Sequence, residues 1–155
     1  MPIVESRLVE LGYTLPPPHE PIGNYLSASS SGNIMWMAGV GSRRADGSRI
    51  SGKLGEDLTV EQGYEAAKWC ALNLLARMKV ELGDLDRVTG ILKVFGMVNS
   101  SPGFEEQARV VDGASDLFVE LFGEVGKHSR SAPGMAVLPR NTAVIVDCVI
   151  EFAEV

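Results

Sequence analysis

The stretch His128-Ser129-Arg130-Ser131-Ala132-Pro133-Gly134-Met135-Ala136-Val137-Leu138-Pro139 passes through Arg140-Asn141-Thr142 into Ala143-Val144-Ile145-Val146-Asp147-Cys148-Val149-Ile150-Glu151-Phe152. Successive side chains of an extended strand point to opposite sides, so Val144, Val146, Cys148, Ile150 and Phe152 share one face. That alternation predicts a long, half-buried strand. Its other face mixes Ile145 and Val149 with Asp147 and Glu151. A partly apolar sheet face needs cover, and association of copies through the sheet is the simplest source of it. In the first half of the stretch one arginine stands between two serines where an apolar, small-residue segment begins. A guanidinium keeps its proton and holds five donors in a fixed fork, so Arg130 needs an anion. That anion is a carboxylate such as Asp147 or Glu120, a group from a partner subunit, or a bound ligand.

Outward from this stretch the chain reads as alternating elements. Ile3 to Gly12 predicts a short helix, and Leu15-Pro16-Pro17-Pro18-His19-Glu20-Pro21 an extended connector, since proline removes donors and clashes with helix. Tyr25 to Ser29 and Ile34 to Val40 read as a hairpin, followed by a glycine-rich loop over Gly41 to Gly55. Thr59-Val60-Glu61-Gln62 fits a capping box. Ala66, Ala67, Cys70, Ala71, Leu74, Met78 and Leu82 then recur at helical spacing until Gly83. Val88 to Val98 predicts a strand. Ser101-Pro102 predicts the start of a second helix, with Val111, Ala114, Phe118, Leu121 and Phe122 as its buried stripe and Gly123 as its end. Two strands, from about Arg130 and from Ala143, close the chain. The order approximates βββαβαββ, an α+β fold with one sheet and two helices on one face.

At 155 residues the sequence suits a single domain with a substantial core, and 45% apolar content places it among globular chains. No apolar run approaches membrane-spanning length, and Met1-Pro2-Ile3-Val4-Glu5 lacks a secretory pattern. Cys70 and Cys148 lie in apolar periodic segments, where buried, reduced thiols are expected. A cytoplasmic location follows. A net charge of −6 argues against a general nucleic-acid partner, which requires a basic face.

Two phosphate-loop look-alikes fail on chemistry. Gly47-Ser48-Arg49-Ile50-Ser51-Gly52-Lys53-Leu54 ends in leucine where a magnesium-binding hydroxyl belongs. Gly39-Val40-Gly41-Ser42-Arg43-Arg44 carries arginine at the third glycine position. His19, His128, Cys70 and Cys148 show no paired metal-ligand spacing, so no metal site is expected, and no Gly-x-Ser-x-Gly elbow is present. His128 reads as a strand-entry residue.

Ile22-Gly23-Asn24-Tyr25, Gly32-Asn33 leading to Ala38-Gly39, and Arg130-Ser131 followed by Leu138-Pro139 and an acidic strand together resemble the Rid family, the YjgF-like or L-PSP proteins that include reactive intermediate/imine deaminases. Gly52-Lys53-Leu54-Gly55 and Leu58-Thr59-Val60-Glu61-Gln62-Gly63-Tyr64 resemble a longer subgroup with an N-terminal extension, here residues 1–20 of a single 1–155 domain. The resemblance implies a chorismate-mutase-like fold assembled as a homotrimer, sheet faces inward, with clefts between subunits. It implies that a small carboxylate such as a 2-imino or 2-enamino acid is held by Arg130, with Ser131 beside it. Gly39 supplies backbone groups and Tyr25 comes from a neighbouring subunit. Water then releases ammonia without a metal or organic cofactor. At the position fifteen residues past the arginine, where family deaminases carry a glutamate, this chain has Ile145. Asp147, on the same strand face, is the candidate replacement, and Ala132 stands where a small thiol is common. A non-catalytic ligand-binding or regulatory trimer is the alternative expectation, and a ribonuclease role the least favoured.

Overall fold

The computed structural model describes residues 2–155. Helix α1 covers Ile3–Glu10, strand β1 Ala28–Ser31, β2 Ile34–Gly41, helix α2 Val60–Leu82, strand β3 Val88–Asn99, helix α3 Gln107–Phe122, and strands β4, β5 and β6 Ser129–Ser131, Gly134–Met135 and Val144–Phe152. The sheet order is β1-β2-β6-β3-β4, with β5 also on β3. The long strand predicted from the opening alternation is central. It runs antiparallel to both β2 and β3, while the short β4 lies parallel to β3 at the edge.

Burial along β6 follows the sequence pattern. Val144, Val146, Cys148 and Ile150 are buried, and Ile145, Asp147, Val149 and Glu151 are only partly covered. The buried row packs under α2, where the Cys70 thiol donates to the Val144 carbonyl at 3.3 Å. α3 covers β3 beside it, so both long helices occupy one face. Each large apolar side chain buried there contributes roughly 1.5–3 kcal/mol. The helices approach closely at Gly113, where an added Cβ would sit 2.0 Å from the Tyr64 carbonyl oxygen. Both cysteines are buried and unpaired. Among the described residues no helix is long and apolar enough to cross a membrane.

The capping box forms as expected: the Thr59 side chain accepts from the Gln62 N–H at 3.2 Å, and Gln62 accepts from the Thr59 N–H at 2.9 Å. Pro2, at the N-cap of α1, makes no side-chain capping hydrogen bond. The N–H groups of Ile3 and Val4 donate instead to the Asp86 carboxylate at 2.7 and 2.8 Å, while Val4 and Leu8 join the core.

Three expectations are corrected. The strand placed at Tyr25–Ser29 begins at Ala28, and Tyr25 lies in a bend, 55% exposed. The helix placed at Ser101-Pro102 begins at Gln107. Pro102 and Gly103 occupy the centre of a turn closed by the Phe104 N–H on the Ser101 carbonyl, and Gly103 has φ 84°, which demands glycine. Finally, two strands rather than three precede α2. Residues between Gly41 and Gly55 form isolated bridges, such as Arg43 with Arg49 and Ser51 with Thr142.

Candidate functional site

The residues singled out by the sequence fall into two neighbourhoods. Tyr25, Gly39 and Ile145 line one cleft of about 310 Å³, together with His19, Arg43, Arg49 and Arg140. Its floor is set by a β-bulge. Met37 pairs with Cys148 and Val40 with Val146, so Ala38 and Gly39 both oppose the single Asp147. A Cβ at Gly39 would press on the Ile145 side chain at 3.0 Å, so glycine keeps the cleft open.

Asp147 projects from the helix-free face of β6, in register with Phe95 and, one strand further, Ser131. Burial raises its pKa, because desolvation disfavours the carboxylate. Ser131 accepts from the Lys93 ammonium at 3.1 Å. Trp36, 47% exposed, stands opposite Val149 on this same face.

Arg130 lies two strands from the cleft. It pairs in register with Val94, whose side chain is in the core beneath the helices. Its Nη1 donates to Asp112 Oδ1 at 2.8 Å and to Ser115 Oγ at 3.1 Å. Asp112 is therefore the acidic partner, not Asp147 or Glu120. The Ser115 hydroxyl also meets His128 Nε2 at 2.9 Å, and His128 Nδ1 lies 2.7 Å from the Gly126 carbonyl. A carbonyl only accepts, so the proton of the neutral ring sits on Nδ1 and Nε2 accepts from Ser115. Burial chiefly, then the charge of Arg130, lowers the His128 pKa. This chain of contacts places His128 at the entry to β4 and fixes the guanidinium through Nη1. On the opposite edge, Nη2 makes one 3.3 Å contact with the Ala108 carbonyl. That edge is the one a carboxylate engages side-on.

Asp112 and Ser115 were not anticipated. They sit on the helix classed by its apolar stripe, and only the parallel pairing of β4 with β3 brings them to Arg130. The rejected phosphate loop is confirmed as a loop: α2 begins at Val60, and Lys53 bonds to Asn99 Oδ1 at 3.1 Å and to the Ala136 carbonyl.

A family model described as "YjgF/chorismate_mutase-like, putative endoribonuclease" matches residues 5–155. The chain belongs to this YjgF/Rid family, as its motifs suggest. Protein TCP17 of Trypanosoma cruzi is 44% identical over 149 residues, spanning 96% of this chain and 93% of that one. Among solved structures, protein Atu1372 of Agrobacterium tumefaciens, described as of unknown function, is 39% identical with a TM-score of 0.90, covering 97% of this chain and 94% of its own. A protein of Shewanella oneidensis described as a putative endoribonuclease is 36% identical with a TM-score of 0.93, covering 96% and 99%.

Proposed function

We propose that this chain is the subunit of a homotrimer that binds a small carboxylate in clefts between subunits and hydrolyses 2-imino or 2-enamino acids to 2-oxo acids and ammonia. The observation that carries this reading is the division of the site. Tyr25, Gly39 and Ile145 line a cleft on one side of the sheet, whereas Arg130 sits on the far edge strand. One chain cannot bring the two together, and neighbouring copies around a three-fold axis can. The open sheet face, with Trp36, Phe95, Met97 and Val149, supplies apolar surface for that contact, sheets inward.

In this scheme Arg130 receives the substrate carboxylate on its Nε–Nη2 edge while Asp112 holds Nη1. Tyr25 and the backbone at Gly39 bound the cleft from the neighbouring subunit, and Ser131 lies beside the arginine. Water adds to the imine carbon, and the tetrahedral adduct collapses to a carbonyl as ammonia leaves. The water must lose both its protons, one on adding and one as the carbonyl forms, and the imine nitrogen must gain two to leave as ammonia. Ile145 can do neither. Asp147, with its pKa raised by burial, is the carboxyl group suited to that exchange. No step requires a metal or organic cofactor.

Ribonuclease chemistry by paired histidines finds no support. His19 and His128 lie in separate neighbourhoods, each with its ring engaged by protein groups.

The test is ammonia release from freshly generated 2-iminobutyrate and 2-iminopropionate, with wild type and Arg130→Ala side by side. Arg130-dependent acceleration is expected. Equal rates for wild type, variant and buffer would remove the deaminase reading.

A further inference from the structure

The cleft beside Gly39 holds more positive charge than one carboxylate requires. Arg43, Arg49 and Arg140 all line it. Among the described residues none of the three has a carboxylate within 4.0 Å; the acidic residue at the rim, Glu20, faces Arg77 at 3.9 Å instead. Arg43 rests on His19, at 3.2 Å from Nε2 and closer to Nδ1. Burial first, then Arg43 and Arg49, lowers the pKa of that ring, so the neutral imidazole that accepts from Arg43 is favoured.

The cluster is built rather than incidental. Its arginines come from two segments joined by a buried polar seam. Ser42 Oγ donates to the Ile50 carbonyl at 2.8 Å and meets Thr142 Oγ1 at 3.2 Å. The Gly52 N–H donates to the Asn141 carbonyl at 2.8 Å. Asn99 Nδ2 donates to the carbonyls of Gly52 and Thr142, each at 3.2 Å. Arg140 and Asn141 have φ of 56° and 55°, a region costly for residues with side chains, and strain of this kind collects at functional positions. Guanidinium groups cannot shed their protons to relieve mutual repulsion, so three converging on one cleft favour an anion there.

We propose that this cluster is a second anion subsite and that the favoured ligand is a 2-oxo or 2-imino acid carrying a further anionic group, carboxylate or phosphate, at its far end. The proposal rests on the reading above: the 2-carboxylate meets Arg130 of the adjacent subunit, and the distal anion meets Arg43, Arg49 and Arg140. Ile22, Val40 and Ile145 supply an apolar wall for the carbons between, and a cleft near 310 Å³ suits a molecule of that size.

The test measures binding of 2-oxoglutarate, 3-phosphonopyruvate and 2-oxobutyrate by calorimetry to wild type, Arg49→Gln, Arg140→Asn and Arg130→Ala, with oligomer mass checked by light scattering. Arg49 and Arg140 are exposed, so both charge-removing variants should keep the fold. The dianions are expected to bind at least about tenfold more tightly than 2-oxobutyrate; Arg49→Gln and Arg140→Asn should each erase most of that gain with 2-oxobutyrate binding as in wild type, whereas Arg130→Ala should weaken all three probes. Preference between the two dianions identifies the distal group. If 2-oxobutyrate binds through Arg130 and the dianions gain nothing, the subsite is overturned and the broader function survives. If every probe binds Arg130→Ala as tightly as wild type while the dianion gain vanishes in the cleft variants, the subsite stands and the Arg130 clamp falls. Dissociation of the oligomer in the cleft variants would assign these arginines to assembly and overturn the subsite; no binding by any probe would overturn both.

Discussion

Arg130 and the cleft arginines are held in opposite ways. Arg130 has its own acid: Asp112 and Ser115 fix one guanidinium nitrogen, and the chain continues through His128 to the Gly126 carbonyl. Among the described residues Arg43, Arg49 and Arg140 have no carboxylate within 4.0 Å, only a scaffold that keeps them together. The first arrangement neutralises a cation and aims it. The second leaves positive charge that a ligand or partner must answer. The proposed function uses both, Arg130 to grip one end of a small acid and the cleft arginines to select among its other ends.

The largest effect should come from Arg130. Arg130→Ala is expected to lower kcat/KM toward 2-imino acids by about 10²-fold, the loss of a charged, bidentate contact. The pair is partly exposed, 22% for the arginine and 46% for Asp112, so stability should change by less than about 1 kcal/mol. Asp112→Asn keeps the clamp but loosens its aim, and a several-fold rise in KM is expected with kcat nearly unchanged. Unfolding of either variant, with catalysis intact in the folded fraction, would make Arg130 structural and dissolve the contrast with the cleft.

Asp147 gives the next effect. Its raised pKa means that the unfolded chain ionises more readily than the folded one. The group therefore costs stability at neutral pH and costs nothing below its unfolded value near 4. Asp147→Asn should raise Tm at pH 7, with the gain shrinking toward pH 4, while turnover falls at least about tenfold. A higher Tm with unchanged turnover would leave Asp147 without a chemical role.

The smallest effect concerns His128. Burial and Arg130 lower its pKa, so the unfolded chain takes up a proton first as pH falls. Stability is complete above about pH 6.5 and declines below it. Thermal melts between pH 7.5 and 5.5 should show falling Tm, with a shallower slope in His128→Asn. An unchanged slope would remove His128 from the network that supports Arg130.

Much of this contrast lay in the sequence, but unevenly. Strand β6 and helix α2 were legible because single periodicities run through them and Thr59 to Gln62 marks a start. Arg130 was legible as a cation in an apolar setting. Its partner was not, because Asp112 and Ser115 meet it only once α3 crosses back over the sheet so that β4 pairs parallel with β3. In the sequence the cleft cluster shows only as two failed phosphate loops. Arg43 and Arg49 stood in those rejected motifs, and only the seam through Ser42, Asn99 and Thr142 places Arg140 beside them. Pro102 misled for a local reason: a Pro-Gly turn and a helix start share the same first residue type.

The most direct test of a site shared between copies is subunit mixing. Arg130→Ala removes one half, and Gly39→Val, which places side-chain atoms against Ile145, blocks the other. Each variant alone should be inactive on 2-iminobutyrate. After dissociation and joint reassembly, each mixed trimer regains roughly one intact site in three, about a quarter of all sites after random equal mixing, and activity should return to a comparable fraction of wild type. Verified mixed trimers with no recovered activity would place Arg130 and the Gly39 cleft outside a common site.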